Sequence, residues 1–137
     1  MSTLLVDTGP LVALAIRRDN HHAACTDLLQ NHHGRLLTTW AVLTEFSHVV
    51  GAVEACLPLY RWIANGGLEV FPLGRDEIVC ASDWIERYAD RPMDLADASL
   101  VVAALATGYT QVWTLDRNDF ETYRLPGRKR FKLVDMA

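Results

Sequence analysis

Short apolar runs alternate along this chain with longer stretches of helical period. Thr3-Leu4-Leu5-Val6 reads as a short buried strand that stops at Asp7-Thr8-Gly9-Pro10, a turn and helix-start signal. Leu11 to Arg17 predicts a short helix, with Pro10 tolerated near its first turn. Asn20 to His33 predicts a second, ended by Gly34 at a C′ position. Leu36-Leu37-Thr38 is a second strand, after which Thr39 caps a helix from Trp40 to about Val50, closed by Gly51. Val53 to Ala64 is a further helix with Pro58 as a candidate kink. Leu68 to Phe71 is a third strand, ended by Pro72, and Arg75 to Tyr88 a helix. The strongest helical pattern runs from Asp94 to about Thr107, Ala- and Leu-rich and stopped by Gly108. Gln111 to Leu115 and Phe131 to Val134 complete five strands.

Strands alternating with helices imply βαβ units and a parallel sheet covered on both faces. Ligand sites in such α/β folds lie beyond the carboxyl ends of the strands. Asp7 and Asp116 each follow a strand and so fall on that edge. Helices antiparallel to the strands bring their N-termini to the same edge. This adds Asp94 and Asp97, in a first turn, and Glu45, early in its helix. At 100° per residue, Asp97 extends the stripe of Ala98, Val101 and Leu105 that is expected to be buried. Leu43, Phe46 and Val50 share one face, whereas Glu45 lies nearly opposite, beside Ala41 and His48. Periodicity alone therefore does not turn Glu45 inward.

Taken singly, each acid has an ordinary reading. Asp94 is a favoured N-cap before Asp97, and Asp7 and Asp116 suit turns. Their joint convergence is what suggests chemistry. Carboxylates forced together repel unless a cation intervenes. A hard, oxygen-preferring ion such as Mg²⁺ or Mn²⁺ suits such a site, where it can activate water and offset charge on a phosphodiester.

Composition narrows the picture. At 137 residues with half of them hydrophobic, one domain with its own core is expected, residues 1–137. The longest uninterrupted apolar run, Leu100 to Ala106, is far short of the about 20 residues that span a bilayer. Asp7 interrupts the N-terminal apolar stretch and Arg17-Arg18 follow it, the reverse of a secretory signal. Cys25, Cys56 and Cys80 form no CxxC pair and read as free thiols, which fits a cytoplasmic location without membrane association. The net charge of -4 gives no hint of a nucleic-acid partner, but it is unevenly divided. The first 121 residues carry 8 Lys+Arg against 16 Asp+Glu, and the remainder 5 against 1.

The acidic motifs resemble those of PIN-domain ribonucleases, in particular the VapC toxins of bacterial toxin–antitoxin pairs. Leu5-Val6-Asp7-Thr8-Gly9-Pro10-Leu11-Val12-Ala13-Leu14 looks like the family's opening, and Thr44-Glu45-Phe46 like its second acidic motif. Met93-Asp94-Leu95-Ala96-Asp97-Ala98-Ser99-Leu100-Val101 is similar to the third. Thr114-Leu115-Asp116-Arg117-Asn118-Asp119-Phe120 is similar to the fourth. Four motifs in order cover nearly the whole chain. The resemblance implies a three-layer α/β/α sandwich with a parallel sheet of order 3-2-1-4-5. It implies that Asp7, Glu45, Asp97 and Asp116 form an acidic quartet binding Mg²⁺ or Mn²⁺. Asp7 and Asp97 would be ligands, with Glu45 and Asp116 bound directly or through water. Thr8, Asp94, Thr114 and Asp119 stand beside the quartet as supporting positions. The implied activity is endonucleolytic RNA hydrolysis, neutralised by a VapB-type antitoxin, in a homodimeric protein. The alternative is a catalytically inactive PIN-like module that binds RNA or protein.

Other rivals fare worse. A receiver-type phosphoacceptor needs a Lys near a late strand end, and the only lysines are Lys129 and Lys132. A haloacid-dehalogenase-type phosphatase needs a second Asp two residues after Asp7, where Gly9 stands. Arg124, Arg128, Lys129, Arg130 and Lys132 are candidate contacts to RNA phosphates, or a solvated edge device. His21-His22 and His32-His33 lack zinc spacing and read as surface, with His48 a weaker candidate for substrate contact. Trp40, Trp62, Trp84 and Trp113 read as core or interface rather than base-stacking platforms.

Overall fold

The structure is a computed structural model and describes residues 2–136. Leu4–Val6 forms β1, Thr8–Ala15 α1, His22–Asn31 α2, Leu36–Thr39 β2, Trp40–Val50 α3 and Val53–Ala64 α4. Glu69–Phe71 forms β3, Arg75–Arg87 α5, Leu95–Thr107 α6, Gln111–Trp113 β4 and Arg117–Thr122 α7. Short strands at Arg124–Leu125 (β5), Lys129–Arg130 (β6) and Lys132–Leu133 (β7) follow, with a 3₁₀ turn at Pro126–Arg128. The main sheet is parallel with order β3-β2-β1-β4-β7, the 3-2-1-4-5 order of its five strands that the resemblance implies.

Burial explains the sheet. Leu4, Leu5 and Val6 are all buried, as a central parallel strand covered on both faces requires. Leu5 is the register partner of both Leu37 and Val112. Thr38 Oγ1 donates to the Val6 carbonyl oxygen at 2.8 Å, so even a polar residue of β2 is satisfied inside. Thr39 caps α3 as expected, accepting from the Val42 N–H at 3.2 Å.

Several boundaries move. α1 begins at Thr8 rather than Leu11, because Pro10 occupies its first turn and needs no N–H partner there. α2 is shorter than Asn20 to His33, and Gly34 is not its cap. A Cβ at Gly34 would stand 1.7 Å from the Ser2 carbonyl oxygen, so glycine serves close approach to the chain entering β1. α4 runs unbroken through Pro58. The fourth strand stops at Trp113, and the fifth is Lys132–Leu133 within the longer Phe131 to Val134 segment. α7 and the β5–β6 hairpin were not expected. Every residue of α6 from Ala96 to Ala104 is buried, because α3 and α5 flank it over the sheet. Leu105, expected in its buried stripe, is 38% exposed instead. His22 is not simply solvated: its Nδ1 lies 2.7 Å from the Ala13 carbonyl oxygen, tying α2 to α1. Trp84 and Trp113 are buried, while Trp40 is 68% exposed and belongs to no core. The three cysteines are free, with Cys25 and Cys56 buried and Cys80 partly so.

Candidate active site

The Asp7 N–H extends the β1–β4 ladder by donating to the Trp113 carbonyl oxygen at 3.0 Å. That bond seats Asp7 at the carboxyl edge beside Thr114. Although Asp7 is the N-cap of α1, its side chain makes no capping bond. Its Oδ2 accepts instead from Thr114 Oγ1 at 2.7 Å, and that oxygen accepts from the Asp116 N–H at 2.9 Å. One hydroxyl therefore joins the first and fourth acidic motifs. Asp7 is 2% exposed. Burial pushes its carboxyl up to about 6 against the pull of Thr114, and the charges of Asp116 and Glu45 add to the rise.

At the start of α6, Asp94 does act as a cap: its Oδ1 accepts from the Asp97 N–H at 2.8 Å. Asp97, 7% exposed, points the other way. Its Oδ2 accepts from the Tyr123 hydroxyl at 2.7 Å. Burial lifts its carboxyl to about 8 against that bond, helped by Asp7, Asp94 and Asp119. Burial and the bond to Asp97 in turn hold the Tyr123 phenol far above its ordinary range, so it stays a donor.

Glu45 is half-buried, not solvated as its position opposite Leu43 and Phe46 suggested. α3 packs against both α1 and α6, so its polar side faces the acidic edge. Burial raises its carboxyl, and Asp94 and Asp116 add their charge. Asp116 is raised by burial, then by Asp119 and Asp94. Asp119 is held by Arg91, whose guanidinium lies 3.1 Å from Oδ1. Asp119 thus joins the five acids that topology alone was expected to bring to this edge.

Thr8 Oγ1 is buried and closes no hydrogen bond, although it lies near enough to Glu45 to counter that group's rise. An unmet hydroxyl among carboxylates, all hard oxygen donors, fits a cation such as Mg²⁺. No three His, Cys, Asp or Glu side chains among the described residues stand close enough to enclose an ion. Mg²⁺ does not demand such a cage, since it keeps several waters and takes one or two carboxylates directly. A groove of about 480 Å³ passes Glu45 and Asp94 and is lined further by Thr44, His48 and Leu95.

The basic segment divides in two. The Arg124 guanidinium donates to the carbonyl oxygens of Glu121, Thr122 and Tyr123, where it caps the end of α7. Arg128, Lys129, Arg130 and Lys132 are exposed, and none pairs with a carboxylate among the described residues. Arg128 lies in the turn and Lys129 and Arg130 in the second strand of a hairpin in which β5 and β6 pair antiparallel around Gly127 (φ 76°) and Arg128 (φ 61°), and Lys132 follows it.

Tyr123 and Arg91 are the neighbours that sequence reasoning missed. For Tyr123 a signal existed: Phe120 and Tyr123 are three apart and both fully buried, the inner face of α7 and its cap. Arg91 lies in an irregular stretch with no periodic cue.

The PIN domain family model matches residues 4–125. The chain is 29% identical over 134 residues, 96% of its length and 99% of the relative's, to Ribonuclease VapC26 of Mycobacterium tuberculosis. Its structure superposes with a TM-score of 0.77 on VapC20 of Mycobacterium tuberculosis, a toxin that cleaves the sarcin–ricin loop. That match covers 85% of this chain and 93% of the other at 19% identity. A second match, at a TM-score of 0.65 and 14% identity, is to VapBC2 of Rickettsia felis bound to a DNA fragment from its promoter. It covers 97% of this chain and 99% of that one.

Proposed function

The chain belongs to the PIN domain family, and from that premise we propose that it is a ribonuclease, the toxin of a type II toxin–antitoxin pair. The reaction is endonucleolytic hydrolysis of an RNA phosphodiester, dependent on Mg²⁺ or Mn²⁺. The observation that carries this reading is the convergence of Asp7, Glu45, Asp97 and Asp116 on one sheet edge, where Asp7 and Asp97 are buried and the Thr114 hydroxyl ties Asp7 to the backbone of Asp116. Its relationship to a VapC ribonuclease along nearly the full length of both chains supports it.

Asp7 and Asp97 would hold the ion, with Glu45 and Asp116 bound directly or through water. Held by these residues, a divalent cation would supply positive charge against the phosphate and make water more acidic. A carboxylate of the quartet takes the proton of the attacking water. Thr114 holds Oδ2 of Asp7 and the backbone before α7 in one arrangement, so these two acids keep their spacing. Asp94 fixes the first turn of α6 beneath Asp97. Arg91 pairs with Asp119 and holds it at the boundary of the site, apart from the ligand set. Arg128, Lys129, Arg130 and Lys132 hold the RNA backbone next to the acids, offsetting the repulsion that the acidic edge exerts on phosphate.

The protein partner is a VapB-type antitoxin, and the toxin itself is a homodimer. Exposed Trp40, Val49, Val53, Ile78, Val79 and Leu95 support surfaces that another chain covers. No helix among the described residues is long and apolar enough to cross a membrane; we place the protein in the cytoplasm. Purified protein incubated with structured RNAs and Mg²⁺ should cleave them, and EDTA, Asp7→Asn or Asp97→Asn should stop cleavage. Cleavage that survives chelation or both substitutions would overturn the mechanism.

A further inference from the structure

We propose that Tyr123 is a positioning residue of the acidic site: its hydroxyl fixes Asp97 so that one carboxylate oxygen is committed and the other is presented to a divalent cation. The proposal rests on the metal-dependent reading above and deepens it. Asp97 sits in the first turn of α6, and its Oδ2 is taken by the Tyr123 hydroxyl at 2.7 Å. No hydrogen bond among the described residues reaches Oδ1, which leaves it the less encumbered oxygen for a cation. An unrestrained carboxylate would present either oxygen, and ordering it would cost binding.

Tyr123 is itself immobilised. It is fully buried, with Phe120 packed edge-on at 5.3 Å and Tyr88 at 5.1 Å. Tyr88 stacks on Trp84 at 6.1 Å, and its hydroxyl accepts from the Arg124 N–H at 2.8 Å. Phe120 also packs on Phe131 at 5.3 Å. These rings bind α5, α7 and the root of the basic hairpin into one block. The hydroxyl is the only polar atom of Tyr123's side chain, and the block aims it at Asp97. Packing alone would be served equally well by phenylalanine; the buried hydroxyl requires a partner, and the one the block gives it is the Asp97 carboxylate. Outer partners that orient a metal-binding carboxylate commonly control metal affinity by about 10- to 100-fold.

The test uses the full chain and Mn²⁺ alone as probe. Mn²⁺ binding is read by the loss of the free-ion signal in electron paramagnetic resonance, without RNA. Tyr123→Phe should raise the Mn²⁺ dissociation constant about 10-fold or more. In cleavage assays it should shift the Mn²⁺ dependence of the rate to higher concentration by a similar factor. Asp97→Asn in the same titration closes a cycle, and Tyr123→Phe should add little to it. Unchanged Mn²⁺ affinity in Tyr123→Phe would overturn the proposal. So would an equal loss in the Asp97→Asn background, or a Tyr123→Phe protein that does not fold, since the hydroxyl would then serve the fold. A wild-type protein that binds Mn²⁺ tightly but cleaves no RNA overturns the nuclease reading and leaves the positioning role standing. A wild-type protein that binds no Mn²⁺ overturns both.

Discussion

Asp97→Asn should abolish cleavage and, in metal-free protein, raise stability. Asp97 is 7% exposed, and burial lifts its carboxyl from 3.8 to about 8 against the Tyr123 bond. Asp7, Asp94 and Asp119 face it and oppose its charge. The folded state therefore binds a proton that the unfolded state has released. Stability is full below the unfolded pKa, near 4, and is lost as pH rises through 4 to 8. At about 1.4 kcal/mol per unit, four units set a ceiling of about 5–6 kcal/mol above pH 8. The acids are coupled, so a proton taken by Asp7 relieves part of this, and about 2 kcal/mol is the working expectation. Asparagine keeps an oxygen to accept from Tyr123 and carries no charge. Thermal unfolding in EDTA should show the variant melting higher by about 5–10 °C at pH 7.5. The gap should shrink toward zero at pH 4, and saturating Mn²⁺ should close it from the wild-type side at pH 7.5. A variant less stable than wild type at pH 7.5, or a gap independent of pH, would refute the reasoning.

Three further outcomes can be checked. Reversing Arg128, Lys129 and Arg130 to glutamate should weaken RNA binding by about 10-fold or more and flatten the salt dependence of the binding constant. Unaltered affinity across a salt series would remove the hairpin from the interface. Thr114→Val strips a donor from buried Asp7 and an acceptor from the Asp116 N–H. It should cost about 1–3 kcal/mol in urea unfolding and most of the cleavage rate at limiting Mn²⁺. Gly34→Ala drives a Cβ into the Ser2 carbonyl oxygen and should destabilise the entry to β1 by about 1–3 kcal/mol, while Gly66→Ala, strained only by its φ of 86°, should cost less.

The parallel α/β architecture and the positions of Asp7, Glu45, Asp97 and Asp116 at one edge were legible because they depend on chain order and on where apolar runs stop, whereas the strand order 3-2-1-4-5 followed from the resemblance to PIN-domain ribonucleases. Boundaries shifted where a local pattern met a tertiary demand. Gly34 looked like a helix terminator but answers to Ser2, three elements away in sequence and adjacent in space. Glu45 looked solvated because the helical wheel of α3 knows only its own core face. The wheel cannot register that α1 and α6 close around the other side. Leu105 failed for the opposite reason: near the end of α6, the flanking helices no longer cover its stripe.

What stayed hidden is the pairwise wiring of the acids, and its cause is register. Thr114 reaches Asp7 because β4 pairs with β1 so that Val6 opposes Trp113, which sets the next residues of the two strands side by side. A slip of one residue would carry Thr114 away from Asp7. Tyr123 reaches Asp97 only because the six residues of α7 carry the chain from the edge of β4 back across the start of α6. A segment to which the sequence pattern assigns no element has no direction, whereas a helix anchored at Phe120 has one. The acids follow from topology, but the partners that hold Asp7 and Asp97 differ in kind: one comes from strand register and the other from a short helix. Disturbing register should therefore separate Asp7 from Thr114 while leaving the Tyr123–Asp97 bond intact, because the two supports run through different elements.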